Sequence, residues 1–195
     1  MPSARLIRRD LLLIGTVLAV SAVSITYIFA NYTAAFPQAS LNLKLTRDQI
    51  TDRARQFLAT QQLRPEGFRN LTLFDPDDDA RVYLEREVGL ERANRLMEGE
   101  VPVWRWRARW FRPPLKEEFV VQLRPDGALA GFSHAIPEAA AGARLSREAA
   151  LGLAEGFLRT ATSRPQRLIE SQLNVRPARY DYTFTWEREG FRAGD

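Results

Sequence analysis

The chain has 195 residues, enough for one ordinary domain or two small ones, and its hydrophobic and charged fractions (45% and 27%) are those of a globular protein. It contains no cysteine, which excludes disulfides, zinc–thiolate sites and thiol catalysis. The formal charge of +4 is not a nucleic-acid signature: Arg5, Arg8 and Arg9 against Asp10 account for +2 of it, and the remainder is nearly balanced, without a concentrated basic face.

The first element is membrane-like. Residues 11–30 read LLLIGTVLAVSAVSITYIFA and carry no charge. As a helix they span roughly 30 Å, the thickness of a hydrocarbon core. Tyr27 and Tyr32 sit near the far end, where amphipathic rings favour the interface. Arginines precede the segment, and no charge follows Asp10 until Lys44. The positive-inside rule therefore puts residues 1–10 in the cytoplasm and the rest outside. The competing reading is a cleaved signal peptide, whose apolar region usually runs about 7–15 residues before an A-x-A-like site. This segment is longer, and Thr33-Ala34-Ala35 and Ile28-Phe29-Ala30 are poor sites, so an uncleaved anchor is expected. The basic residues are nearly all arginine, and alanine is abundant, which points to a GC-rich bacterial genome and hence to a bacterial inner membrane.

Residues 31–44 read as a polar, proline-containing linker. A helix follows, LTRDQITDRARQFLAT from Leu45, with Thr46 and Gln49 as a capping box and Ile50, Ala54, Phe57 and Leu58 on one face. A short strand is expected near residues 68–74. Asp75, Asp77, Asp78 and Asp79 resemble the opening of a calcium loop, but the positions that need glycine and a bidentate glutamate hold Ala80 and Arg86. The cluster therefore reads as a turn and the cap of an inserted helix, with Val82, Leu84, Val88, Leu90, Ala93 and Leu96 as its apolar positions.

Residues 103–112, VWRWRARWFR, set Trp104, Trp106, Ala108 and Trp110 against Arg105, Arg107 and Arg109. Period-2 alternation predicts a strand with the aromatic face in the core, the alternative being that Trp104, Trp106 and Trp110 form an aromatic ligand platform. The three arginines form the one candidate interaction surface, for anionic lipid headgroups or for solvent and salt bridges. Glu117-Glu118 fails the Glu-Glu-x-x-x-Arg pattern of intramembrane proteases, because Gln122 stands where arginine is required. Residues 119–123 and 128–132 flank Pro125-Asp126-Gly127, a strong hairpin signal. His134 is the only histidine, so a multi-histidine metal site within this chain is excluded. No nucleophile elbow is present. No catalytic, cofactor or metal site is expected.

A second helix, LSREAALGLAEGFLRT from Leu145, matches the first at six positions, among them Ala54/Ala154, Phe57/Phe157 and Leu58/Leu158. Ser146 caps it, and Ala150, Leu153, Ala154, Phe157 and Leu158 share a face. A strand near residues 168–175 and an aromatic strand, RYDYTFTWER at 179–188, follow. The expected fold is thus α+β: one N-terminal transmembrane helix, then two helix-plus-antiparallel-meander repeats. The first repeat covers residues 45–140 with an inserted helix, and the second covers 141–195 and is incomplete. Only nine residues follow Trp186, so the chain is expected to be a fragment whose last sheet is unfinished.

The helix-then-meander unit resembles PepSY-type extracytoplasmic modules of bacteria. LTRDQITDRARQFL, YLEREVGLERANRLM, and VPVWRWRARWFRP followed by KEEF resemble the N-terminal region of CPBP-family (CAAX-protease-like) intramembrane proteases. These are not catalytic motifs. The resemblance implies a membrane-anchored, non-catalytic domain that recruits or regulates substrate, with the catalytic helices beyond this chain. The alternative is a free-standing PepSY-like module acting on a cell-envelope protein. Either way the implied partners are a membrane and a protein, not nucleic acid.

Overall fold

A computed structural model describes residues 7–162 and 166–188. The fold is mixed α+β, with one long apolar N-terminal helix and antiparallel sheets. Its residues group into two compact units, one of residues up to 44 with 75–105, the other of 45–74 with 106 onward.

The first unit begins with helix α1, Arg8–Ala35. Its 28 residues would extend about 42 Å, roughly 12 Å more than a hydrocarbon core. Polar side chains in this helix bond back to their own backbone: Thr16 Oγ1 donates to Leu12 O, Thr26 Oγ1 to Ala22 O and Asn31 Nδ2 to Tyr27 O, each at 2.9 Å. That satisfies them without water, as an apolar surround requires. The stretch read as a linker continues α1 and then turns through a 3-10 segment, Pro37–Ser40. Thr33, Ala34 and Ala35 belong to α1, and their side chains lie outside the described residues.

The insert is two helices, α2, Asp78–Val88, and α3, Leu90–Gly99, not one. Gly89, at φ +76°, adopts a conformation only glycine takes readily and breaks the run. Asp77 caps α2, its Oδ1 accepting from Ala80 N–H at 3.0 Å. Helix α3 packs on α1 and on the 3-10 turn with Ala93, Asn94 and Met97 buried. Asn94 Nδ2 donates to Phe36 O at 3.1 Å, and Trp104 Nε1 donates to Ser40 Oγ at 2.9 Å. Trp104 therefore does not belong to the aromatic strand. It is buried in this unit, which period-2 alternation alone could not distinguish.

In the second unit, helix α4, Arg47–Thr60, is capped by Thr46 and Gln49, which form the expected capping box. Four strands follow, β1 (Arg69–Phe74), β2 (Trp106–Phe111), β3 (Glu118–Leu123) and β4 (Leu129–Ala135), in one antiparallel sheet of that order. The register sets Trp106 against Leu123, Ala108 against Val121 and Trp110 against Phe119. These six pack with Ile50, Ala54 and Leu58 of α4 in one buried cluster. The β3–β4 turn has Gly127 at φ +86°, with Ala128 N–H donating to Asp126 Oδ1 at 3.0 Å.

The later part of this unit holds helix α5, Arg147–Ala161, and a two-stranded sheet of β5, Gln166–Val175, and β6, Tyr180–Arg188. Ser146 caps α5 through Ala149 N–H at 3.3 Å. The expectation that α5 buries its apolar face is corrected: none of its residues is buried, and Leu153 is 68% exposed. Among the described residues only β5 and β6 lie in the sheet that follows it, half the number of strands in the β1–β4 sheet beneath α4. Residues 189–195, most of the tail on which the fragment expectation rests, lie outside the described residues.

Candidate binding site

The predicted arginines lie in different settings. Arg105 closes the first unit, where its Nη2 meets Asp77 Oδ2 at 3.0 Å. Arg107 and Arg109 lie on β2. Arg109 donates to Glu118 Oε2 from Nε at 2.8 Å and also from Nη2, and its guanidinium covers the Phe111 ring at 4.8 Å. The charges of Arg105 and Arg109 are thus balanced by carboxylates, which weakens them as a lipid-headgroup surface. Among the described residues no group of three or more His, Asp or Glu side chains is placed to hold a metal ion. Asp77 is occupied as a cap, and Asp78 pairs with Arg81 at 3.1 Å. His134 Nε2 lies 3.0 Å from Glu117 Oε1, with its ring stacked on Phe119, which ties the start of β3 to the end of β4.

One feature with room for a ligand is a cleft between α5 and β6. It encloses about 470 Å³ and is lined by Leu145, Ala150, Leu153, Phe157, Tyr182 and Phe184, among others. Along β6 the rings of Tyr182, Phe184 and Trp186 form a ladder, with centroids 5.7 and 5.8 Å apart. Tyr182 OH donates to Leu145 O at 3.1 Å, tying the strand to the start of the helix. The corresponding wall of α4 differs: Ile50, Ala54 and Leu58 are fully buried, whereas Ala150, Ala154 and Leu158 are only half-buried.

One end of the cleft is held by a hydrogen-bonded arginine. Arg179 is buried, and its Nη1 donates to the carbonyls of Pro137, Glu138 and Ala140 at 3.0, 3.0 and 2.8 Å. Its Nε meets Asp181 Oδ1 at 2.7 Å. Arg179 holds the Asp181 carboxyl below its ordinary range against the opposing effect of burial, and Arg176 adds a smaller pull in the same direction as Arg179. Sequence reasoning took Arg179 only as the first residue of a strand. The available signal was Arg-x-Asp at 179–181, an i, i+2 pair on one face of a strand, which had no visible link to residues 137–140.

No family model, no curated protein and no solved structure matches the chain.

Proposed function

We propose that the chain is a membrane-anchored extracytoplasmic domain that binds protein rather than transforming substrate, of the kind that recruits or regulates substrate for a CPBP-type intramembrane protease. The observation that carries the anchored reading is the join between helix and head. A signal peptide is removed before the mature domain begins, so the fold has no use for its end. Here α1 runs without a break to Ala35, α3 packs on it, and Asn94 and Trp104 bond to Phe36 and Ser40 just beyond it. Loss of the helix would uncover the buried side of α3.

The PepSY-like repeat gives the head its meaning. Both α4 and α5 precede a strand that pairs antiparallel with an aromatic strand, β1 with β2 and β5 with β6. The open α5–β6 cleft favours a second reading, a free-standing anchored binding module, and a protein ligand suits either reading. Downstream hydrophobic spans carrying Glu-Glu-x-x-x-Arg and distant histidines would support the protease reading.

The test is topological. A reporter active only outside the cytoplasm, fused after Asp195 and expressed in bacteria, is expected to be active and to stay in the membrane pellet after carbonate extraction. Active reporter in the soluble fraction would overturn the anchor, and inactive reporter would overturn the orientation.

A further inference from the structure

We infer that one end of the four-stranded sheet, where β1 starts and β2 ends, docks on anionic headgroups of the bilayer that holds α1. The inference goes beyond the protein-binding role and rests on the anchored reading.

Three observations carry it. The first is a set of basic side chains without acidic partners. The outward positions of β1 are Arg69, Leu71 and Leu73, since Thr72 turns inward and meets the Thr51 hydroxyl of α4 at 2.8 Å. Arg69 stands opposite Phe111 in the register, and from there the β2–β3 connection runs through Arg112, Leu115 and Lys116. Leu115 N–H donates to Arg112 O at 2.8 Å, which closes that connection into a turn. The Arg112 guanidinium lies over the Phe68 ring at 4.9 Å, beside the start of β1. Arg69, Arg112 and Lys116 are exposed, and none has an ion-pair partner among the described residues. The carboxylates of the adjoining strand end are engaged elsewhere, Glu118 with Arg109 and Glu117 with His134. Glu66 is the unpaired acid at this end, and Arg64 on the same loop offsets its charge. Arg105 and Arg109, which carboxylates balance, are not part of the surface.

The second is the apolar side chains set among these cations. Leu71 is 47% exposed and Leu115 49%. Basic residues around a few exposed apolar ones suit the boundary between headgroups and acyl chains, where cations meet phosphates and apolar tips leave water.

The third is the tether, which selects the bilayer over a protein. Leu45, where this unit begins, follows Ala30, the last residue of the uncharged segment, by fifteen residues. Such a chain reaches at most about 50 Å, so an anchored α1 keeps the patch near the same bilayer. A free protein partner, or a second copy, would need an interface of about 20–30 residues a side. Two leucines and three cations are far fewer. A bilayer already joined to the chain needs no such area, because the second contact is intramolecular.

The experiment uses the full chain in lipid nanodiscs, made of phosphatidylcholine alone or with phosphatidylglycerol added. The chain has no cysteine, so Leu115→Cys takes a single nitrobenzoxadiazole label. Discs with phosphatidylglycerol are expected to shift its emission to shorter wavelength and to bring it within reach of a nitroxide quencher carried on a lipid headgroup. Discs of phosphatidylcholine alone should do neither. Raising the salt from about 0.1 M to about 1 M shortens the screening length from about 10 Å to about 3 Å and should reverse both effects. Arg69→Gln with Lys116→Gln should lower the ratio of docked to free label by about tenfold or more, at about fivefold for each basic side chain near an anionic surface. Circular dichroism checks that this variant is folded, and the salt series tests the charge without it. Emission that is the same in both lipids, or unmoved by salt, overturns the inference. So does a folded double variant that docks as well as the native chain. Short-wavelength emission that the lipid-borne quencher cannot reach would mean that protein covers Leu115, and it overturns the inference as well. Size-exclusion chromatography reads the anchor separately. A chain that elutes without the disc overturns the anchor, whereas a co-eluting chain with an unresponsive label overturns docking alone.

Discussion

Replacing Trp106 by alanine tests whether the aromatic face of β2 is core or a ligand platform. Trp106 is 8% exposed, packs edge-to-face on Phe74 with centroids 5.4 Å apart, and lies opposite Leu123. Burying such a side chain removes about 150–250 Å² from water, worth roughly 4–6 kcal/mol at ~25 cal/mol per Å² as an upper estimate. Measured losses for emptying such sites run about 3–5 kcal/mol, and that is the expected cost of Trp106→Ala. Trp106→Phe separates volume from the indole nitrogen. It keeps a ring against Phe74 and deletes a buried Nε1–H that has no hydrogen-bond partner among the described residues, so its cost should stay below about 1.5 kcal/mol. The assay is a urea titration of the full chain in detergent, followed by far-UV circular dichroism, which does not depend on the altered tryptophan. A loss under about 0.5 kcal/mol for the alanine variant, the usual effect of a surface change, would refute burial and revive a platform.

Two further perturbations probe the turn and the ion network. Gly127→Ala should destabilise by about 1 kcal/mol or more, because φ is +86° and a Cβ would run into Arg53 Nη1 and lie 2.8 Å from Leu45 Cδ1; an unchanged urea midpoint would contradict this. For Asp181 the folded carboxyl is held below its ordinary value, chiefly by Arg179, so its stabilisation is complete above the unfolded pKa of about 3.9 and is lost as pH falls through the folded one. The melting-temperature gap between the native chain and Asp181→Asn should therefore be constant from pH 7 to about 5 and close below pH 4, and a gap that widens on acidification would reverse the sign of the argument.

What sequence could reveal was set by how local the determinant was. The cap of α4, the Asp126–Gly127 turn and the alternation of Trp106, Ala108 and Trp110 each depend on neighbours within a few residues, and all three stand in the structure. Trp104 continues the same alternation yet leaves the strand, because its partner Ser40 is 64 residues away and nothing local announces it. The insert read as one helix because its apolar positions keep helical spacing across Gly89, and only the positive φ separates α2 from α3. The cleft was least legible of all. The rings of Tyr182, Phe184 and Trp186 were visible, but whether they are covered depends on strands brought from elsewhere in the chain.

That dependence explains why two helices of similar pattern have different environments. Helices α4 and α5 match at six positions and carry similar caps, so local propensity gives them the same start and the same apolar stripe. What differs is the floor. Beneath α4, inward residues from β2 and β3 alone supply Trp106, Ala108, Trp110, Phe119, Val121 and Leu123, and the stripe is sealed. Beneath α5, β6 offers Tyr182, Phe184 and Trp186, and no third strand lies beyond them among the described residues. A helix stripe gains its stability from the surface it packs on rather than from propensity. Among the described residues β6 is thus left with β5 alone beside it, and an uncovered apolar edge of that kind promotes edge-to-edge pairing.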